Sequence, residues 1–199
     1  ISMVGYGDCK AVVTWDQYWC PFFTGAGWIG TVKFDNFTAK PLAGSCDSVV
    51  MAWHNYELTN NLTQLEADLA AFVYAAQDII RDKVMLGIAN YLDVFIPCGG
   101  TNILLYAEFY TSNCKKECYK FTIVKGRPVF ETSTVFCDVS CCVETTRYCW
   151  NSLNNTIEIS TPTVSSVGSC PELSANPHTC PEGFFPLSES CQKDCNIRE

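Results

Sequence analysis

Thr63-Gln64-Leu65-Glu66-Ala67-Asp68-Leu69-Ala70-Ala71-Phe72-Val73-Tyr74-Ala75-Ala76-Gln77-Asp78-Ile79-Ile80-Arg81-Asp82-Lys83-Val84-Met85-Leu86-Gly87-Ile88-Ala89-Asn90-Tyr91-Leu92-Asp93 is the stretch on which the fold turns. Leu65, Leu69, Phe72, Ala76 and Ile79 recur at helical spacing. The stripe then drifts onto Ile80, Val84, Ile88, Tyr91 and Phe95, as it does on a straight 3.6-residue helix. Thr63 and Glu66 have the spacing of a capping box, in which hydroxyl and carboxylate each satisfy an orphan backbone donor. The pattern predicts one helix over about 63–93, with Gly87 as a bend and Pro97 as the stop. Leu69, Ala70, Phe72, Val73, Tyr74 and Ala76 cover much of its circumference. A helix apolar nearly all round is buried on all sides, which in a chain of 22.1 kDa points to cover from a second copy.

On the N-terminal side, Ser48 to Leu58 reads as a shorter partner helix, and residues 9–37 read as β structure. That β stretch is rich in aromatics, with Trp15, Trp19 and Trp28 its largest members. They can pack a core, line a subunit interface, or serve as stacking platforms for a bound glycan. Gly25-Ala26-Gly27-Trp28-Ile29-Gly30 spells the dinucleotide fingerprint, but it runs on into the strand-like Thr31-Val32-Lys33-Phe34 where that motif needs a helix.

On the C-terminal side the period changes to two. Ile103–Thr111, Tyr119–Lys125, Val129–Cys137, Cys142–Trp150 and Thr156–Val164 read as five strands with short connections, hence as an antiparallel meander. The lysines of Lys115, Lys116, Lys120, Lys125 and Arg127 read as the charges that protect an edge strand from pairing. Gly168 to Glu199 is loop-rich, with four prolines among its cysteines. The expected fold class is therefore α+β: a meander crossed by one long helix, with a C-terminal disulfide-rich lobe. Residues 1–165 form the single α+β domain, and 166–199 form a cysteine-rich tail stapled to it.

The 14 cysteines are Cys9, Cys20, Cys46, Cys98, Cys114, Cys118, Cys137, Cys141, Cys142, Cys149, Cys170, Cys180, Cys191 and Cys195. No C-x2-C pair occurs and only His54 and His178 could join a metal site, so disulfides are expected and zinc is not. Cys9 with Cys20 and Cys114 with Cys118 are the local pairings that spacing favours. Three cysteines precede residue 97, so full pairing needs a bridge between the two halves. If Cys141 and Cys142 share a strand they face opposite ways and bond different partners.

So many thiols imply an oxidising compartment. A first residue of Ile1, with no charged and apolar leader behind it, reads as a chain whose signal or pro-segment has been removed. Asn36, Asn61 and Asn154 head N-x-[ST] sequons and are glycosylation candidates. A net charge of −8 opposes phosphate backbones, so nucleic acid is not an expected partner. The longest apolar run, Val84 to Ile96, is interrupted by Asn90 and Asp93 and is too short for a membrane span.

No G-x-S-x-G, H-E-x-x-H or helix-opening S-x-x-K is present, and His54 in Ala52-Trp53-His54-Asn55-Tyr56 reads as a hydrogen-bonded structural histidine. The chain is expected not to be an enzyme and to use neither metal nor cofactor. Low charge, 17% of residues, and the wide apolar arc favour an exported structural protein that self-associates into an extracellular filament or surface coat. Its N-terminal Ile1 to Tyr6 could add as a strand to a neighbour's open edge. The alternative is a glycan-binding adhesin or lectin-like module that uses the exposed aromatics.

Overall fold

A computed structural model describes residues 1–24, 27–92, 98, 103–112, 114–136, 141–151, 153, 156–167, 179–187 and 192–193. The chain is mixed α and β. Two long strands, β1 (Ala11–Thr24) and β2 (Gly27–Pro41), form an antiparallel pair with a register shift between Thr14 and Asp16. Two helices follow, α1 (Asp47–Leu58) and α2 (Leu62–Leu92). Next come β3 (Ile103–Ser112), β4 (Cys114–Val124), β5 (Arg127–Phe136) and β6 (Cys141–Asn151). Four short strands close the order: β7 (Thr156–Ile159), β8 (Thr163–Val167), β9 (Phe185–Pro186) and β10 (Gln192–Lys193).

The meander expectation is corrected. The strands divide into two sheets, one ordered β1-β2-β3-β6-β7 with β8 also on β6, the other β10-β4-β5 with β9 on β4. β2 and β3 run parallel, Trp28 opposite Ile103 through Phe34 opposite Phe109. A parallel pair needs a long crossover, and the two helices supply it. β3 then pairs with β6, and the β4–β5 hairpin between them folds out as a sheet of its own. Its two-residue turn, Lys125-Gly126, has both residues at positive φ (52° and 76°), the geometry that matches strand twist. The fifth strand expected over Thr156–Val164 is two strands, β7 and β8, because Pro162 interrupts the ladder.

The lysine-rich strand is an edge only in part. β4 has β10 opposite Cys114 and Lys115 and β9 opposite Cys118 and Tyr119, while from Lys120 onward no described strand pairs with that side. Lys120 lies over the Phe184 ring, its Nζ 5.8 Å from the centroid.

α1 ends as a Schellman cap. Asn61 N–H donates to Tyr56 O at 2.8 Å and Asn60 N–H to Glu57 O at 3.0 Å, while Asn60 itself takes φ 55°. The chain enters α2 at once. Asn61, not Thr63, caps it: the Asn61 Oδ1 accepts from Gln64 N–H at 3.4 Å and its carbonyl from Leu65 N–H at 3.2 Å.

Much of the wide apolar arc of α2 is covered by its own chain, while Ala70, Val73 and Tyr74 stay half-buried. Leu65, Leu69, Phe72 and Ala76 pack with α1 and the β4–β5 sheet, in a cluster holding Trp53, Tyr119 and Phe130. Ile80 and Met85 pack on the other sheet with Val32, Phe34, Leu105, Ala107 and Phe109. α2 therefore spans two cores, its first half packing in one and its second half in the other. The first is aromatic: Trp53 meets Phe72 edge-on at 5.4 Å and Phe130 at 5.0 Å, and Tyr6 meets Phe72 at 5.2 Å.

The N-terminal segment is not a free donor strand. Ile1 and Ala11 exchange two backbone bonds of 2.8 Å, Ser2 bridges Lys10, and Met3 is buried in the core.

Three disulfides are described: Cys9–Cys46, Cys98–Cys149 and Cys118–Cys180. They correct both local guesses. Cys9 sits where the chain enters β1 and Cys46 where it enters α1, so the pair closes the β1–β2 arm. Cys118 on β4 is tied to the tail, where Phe185–Pro186 pairs with Tyr119 and Cys118 and Leu187 is buried in the first core. Most of the expected C-terminal lobe lies outside the described residues.

Candidate functional site

An open cleft of ≈ 620 Å³ runs between β1 and the second half of α2, closed at one end by Ile1. β1 contributes Ala11, Val13, Trp15 and Gln17 from the face it turns toward the helix, with Val12 at the margin. α2 contributes Ile80, Lys83, Val84, Gly87 and Ile88. The helix residues recur at three and four, so they form one stripe, and the strand residues alternate, so they form one floor. Trp15 is half-buried, and its indole Nε1 donates to Gln17 Oε1 at 3.4 Å. The walls are apolar, and among the described residues Lys83 is the sole charged side chain lining them.

Behind this cleft a buried polar cluster fastens α2 to β6. Tyr148 Oη accepts from Arg81 Nε at 2.8 Å and donates to Asp82 Oδ1 at 2.8 Å. Arg81 Nε also reaches Asp82 Oδ1 at 3.1 Å, and its Nη1 lies 2.9 Å from Asp78 Oδ1 and 3.5 Å from Glu144 Oε1. Arg81 and Glu144 are 6% and 3% exposed, so neither charge is solvated. Burial works against the Arg81 charge, but Tyr148, Asp78 and Asp82 outweigh it and hold the guanidinium protonated. The Tyr148 phenol is pushed well above its ordinary value, first by burial and then by its hydrogen bond to Asp82. The geometry of the cluster is that of a clamp between helix and strand. A charged triplet inside an apolar helical arc was the sequence signal for it; the β6 partners were not legible.

Among the predicted site residues, the structure places only Trp15 in the cleft. The backbones of Trp19 and Trp28 lie in β1 and β2, and their side chains fall outside the described residues. Asn61 is an exposed helix cap. The side chain of Asn36, on β2, and all of Asn154 fall outside the description.

Of the remaining cysteines, Cys142 is buried on β6 and disulfide-bonded, with Cys141 beside it on the same strand. Cys20 lies in β1 and Cys114 in β4, with side chains outside the description, as are Cys137, Cys170, Cys191 and Cys195 altogether. One group of possible metal ligands is found among the described residues, Cys98, Cys149 and Glu158. Its two sulfurs are bonded to each other, so neither offers the thiolate a metal needs. His54 Nδ1 lies 2.9 Å from Glu57 Oε2 and its ring 5.0 Å from Phe121, the hydrogen-bonded setting expected for it.

Gly27 to Gly30 lie within β2, so no helix opens at the glycine-rich turn. No helix among the described residues is long and apolar enough to cross a membrane. Set against known protein families, curated proteins and solved structures, the chain matches none.

Proposed function

We propose that the chain is an exported, disulfide-stapled structural protein that assembles with copies of itself through the open edge of β1. It would serve as a subunit of an extracellular filament or surface coat, with glycans on its sequons. The supporting observation is β1 itself. It ends its sheet, and past the short Ser2–Lys10 bridge no described strand pairs with its outer side from Val12 onward. A long unpaired edge is a template for pairing, and folded proteins normally blunt one with lysines, prolines or a covering element. Here Val12 and Tyr18 are exposed apolar residues along it, and only Pro21 interrupts its donors. Two such edges meeting about a two-fold axis would join two sheets into one. The disulfides agree with an extracellular setting.

The glycan-binding alternative has less support at Trp15. Its ring lines an apolar cleft whose polar groups, Gln17 and Lys83, are too few to match the hydroxyls of a sugar. Light scattering over a range of concentrations tests the assembly reading. The chain is expected to form dimers or polymers, and Val12→Lys with Tyr18→Lys, both at exposed positions, to leave monomers. A wild-type chain that stays monomeric at every concentration overturns the reading, and glycan binding by that monomer would install the alternative.

A further inference from the structure

We propose that the cleft between β1 and α2 binds an elongated apolar molecule carrying one carboxylate, its chain against Val13, Trp15, Val84 and Ile88 and its carboxylate at Lys83. This goes beyond the assembly reading and does not depend on it. The cleft's ≈ 620 Å³ lies within the range of about 300–1,000 Å³ in which proteins hold small molecules, with apolar walls and few polar groups.

Gly87 carries the argument further. It sits inside a 31-residue helix, where glycine costs roughly 1 kcal/mol relative to alanine. Neither a left-handed backbone nor a crowding neighbour among the described residues calls for glycine here. Its φ is not positive, and a Cβ built there would meet nothing within 4 Å. Among the described residues no neighbour needs the space that Gly87 leaves, and that space opens into the cleft. It would let a ligand lie directly against the helix backbone.

Lys83 gives the ligand its charge. It lies one turn before Gly87 on the same face, about 6 Å along the axis. It is exposed and makes no ion pair among the described residues, although Asp82 is its neighbour in sequence. Asp82 is already engaged by Arg81 and Tyr148 on the sheet side of the helix. The cation is therefore left facing the mouth of an apolar cleft, in a chain whose net charge of −8 gives no general attraction for anions. A neutral chain would leave Lys83 unused, and a compact polar ligand would leave the walls uncovered. An elongated carboxylate matches both, since a strand and a helix side by side make a long slot.

Decanoate and the neutral decanol, titrated below their aggregation limits with calorimetry and tryptophan fluorescence, test the proposal. Decanoate is expected to bind one to one, with decanol about tenfold weaker, the size of one charge-assisted contact. Lys83→Ala is expected to weaken decanoate to the level of decanol and to leave decanol unchanged. Gly87→Leu, which fills the cleft, is expected to abolish binding of both. Both substitutions are at exposed positions, and far-UV circular dichroism verifies that they fold. Equal affinity for the two ligands, indifference to Lys83→Ala, binding that survives Gly87→Leu, or no binding at all would each overturn the proposal. Light scattering of the same samples records assembly separately, so either idea can fail alone.

Discussion

Tyr148 shows how one side chain joins two elements. Its hydroxyl donates to Asp82 and accepts from Arg81, so a single atom of β6 holds two side chains of α2, beside the Arg81–Glu144 ion pair. A buried ion pair is weak evidence of net stability, but removing one member strands the others, at a cost of about 3–5 kcal/mol. Tyr148→Phe is the milder change and is expected to cost roughly 1.5–3 kcal/mol, the value of hydrogen bonds to charged groups.

The same residue sets an alkaline limit. The folded state holds the Tyr148 proton above the ordinary value of 10.0, at which the unfolded chain releases it. Its contribution is therefore fully present below pH 10 and is lost as pH rises further. Tyr6 and Tyr119, raised first by burial, act in the same direction. Urea unfolding at pH 8, 10 and 11 is expected to show stability falling over the last interval, and Tyr148→Phe to make that fall shallower. At this scale the sequence offered a partial view. The residues of the clamp on α2 could be picked out as charges in an apolar arc, whereas Glu144 and Tyr148 lie more than 60 residues away and nothing local marks them.

Elements were more legible than their partners. The stripe from Leu65 to Ile88 located α2, and alternation located β3, β5 and β6 to within two residues, because periodicity is a local consequence of burial on one face; β4 begins at Cys114, five residues before the expected start. The cap of the helix was misplaced by two residues for a local reason too. Thr63 and Asn61 both have a Glu or Gln three positions on, and Asn61 wins because Asn60 has already closed α1 in the left-handed conformation. That makes Asn61 both a cap and a sequon, and the two roles can be separated. Asn61→Ala is expected to lower stability by about 1 kcal/mol beyond any effect of losing a glycan. Thr63→Ala, which removes the sequon and spares the cap, is the control. Thermal unfolding of both variants, from glycosylating and non-glycosylating hosts, measures the difference.

At the scale of the molecule, covalent ties close the arms that packing leaves open. Cys9–Cys46 joins residues 37 apart in sequence. Restricting an unfolded loop of that size stabilises the fold by about 4 kcal/mol in the chain-entropy view. Replacing both residues by alanine is expected to lose most of that. The loss should appear in urea midpoints as a lower stability with the β1–β2 arm opening first, read by hydrogen exchange. If the double variant unfolds at the wild-type midpoint, the arm is held by packing alone. α2 links the two cores and makes the sheets interdependent, so two packing demands widen its apolar arc.

The sequence by itself determined the mixed α and β composition, the span of the long helix, the positions of most strands, the setting of His54 and the presence of disulfides. Each is written in local periodicity, composition or spacing. Only the tertiary structure decided which strands share a sheet, that β2 and β3 run parallel, which cysteines meet, and that Trp15, Lys83 and Gly87 face one cleft. Those outcomes depend on which apolar face finds cover first among distant segments. That competition is settled by packing across the whole chain, and no window of neighbouring residues records it.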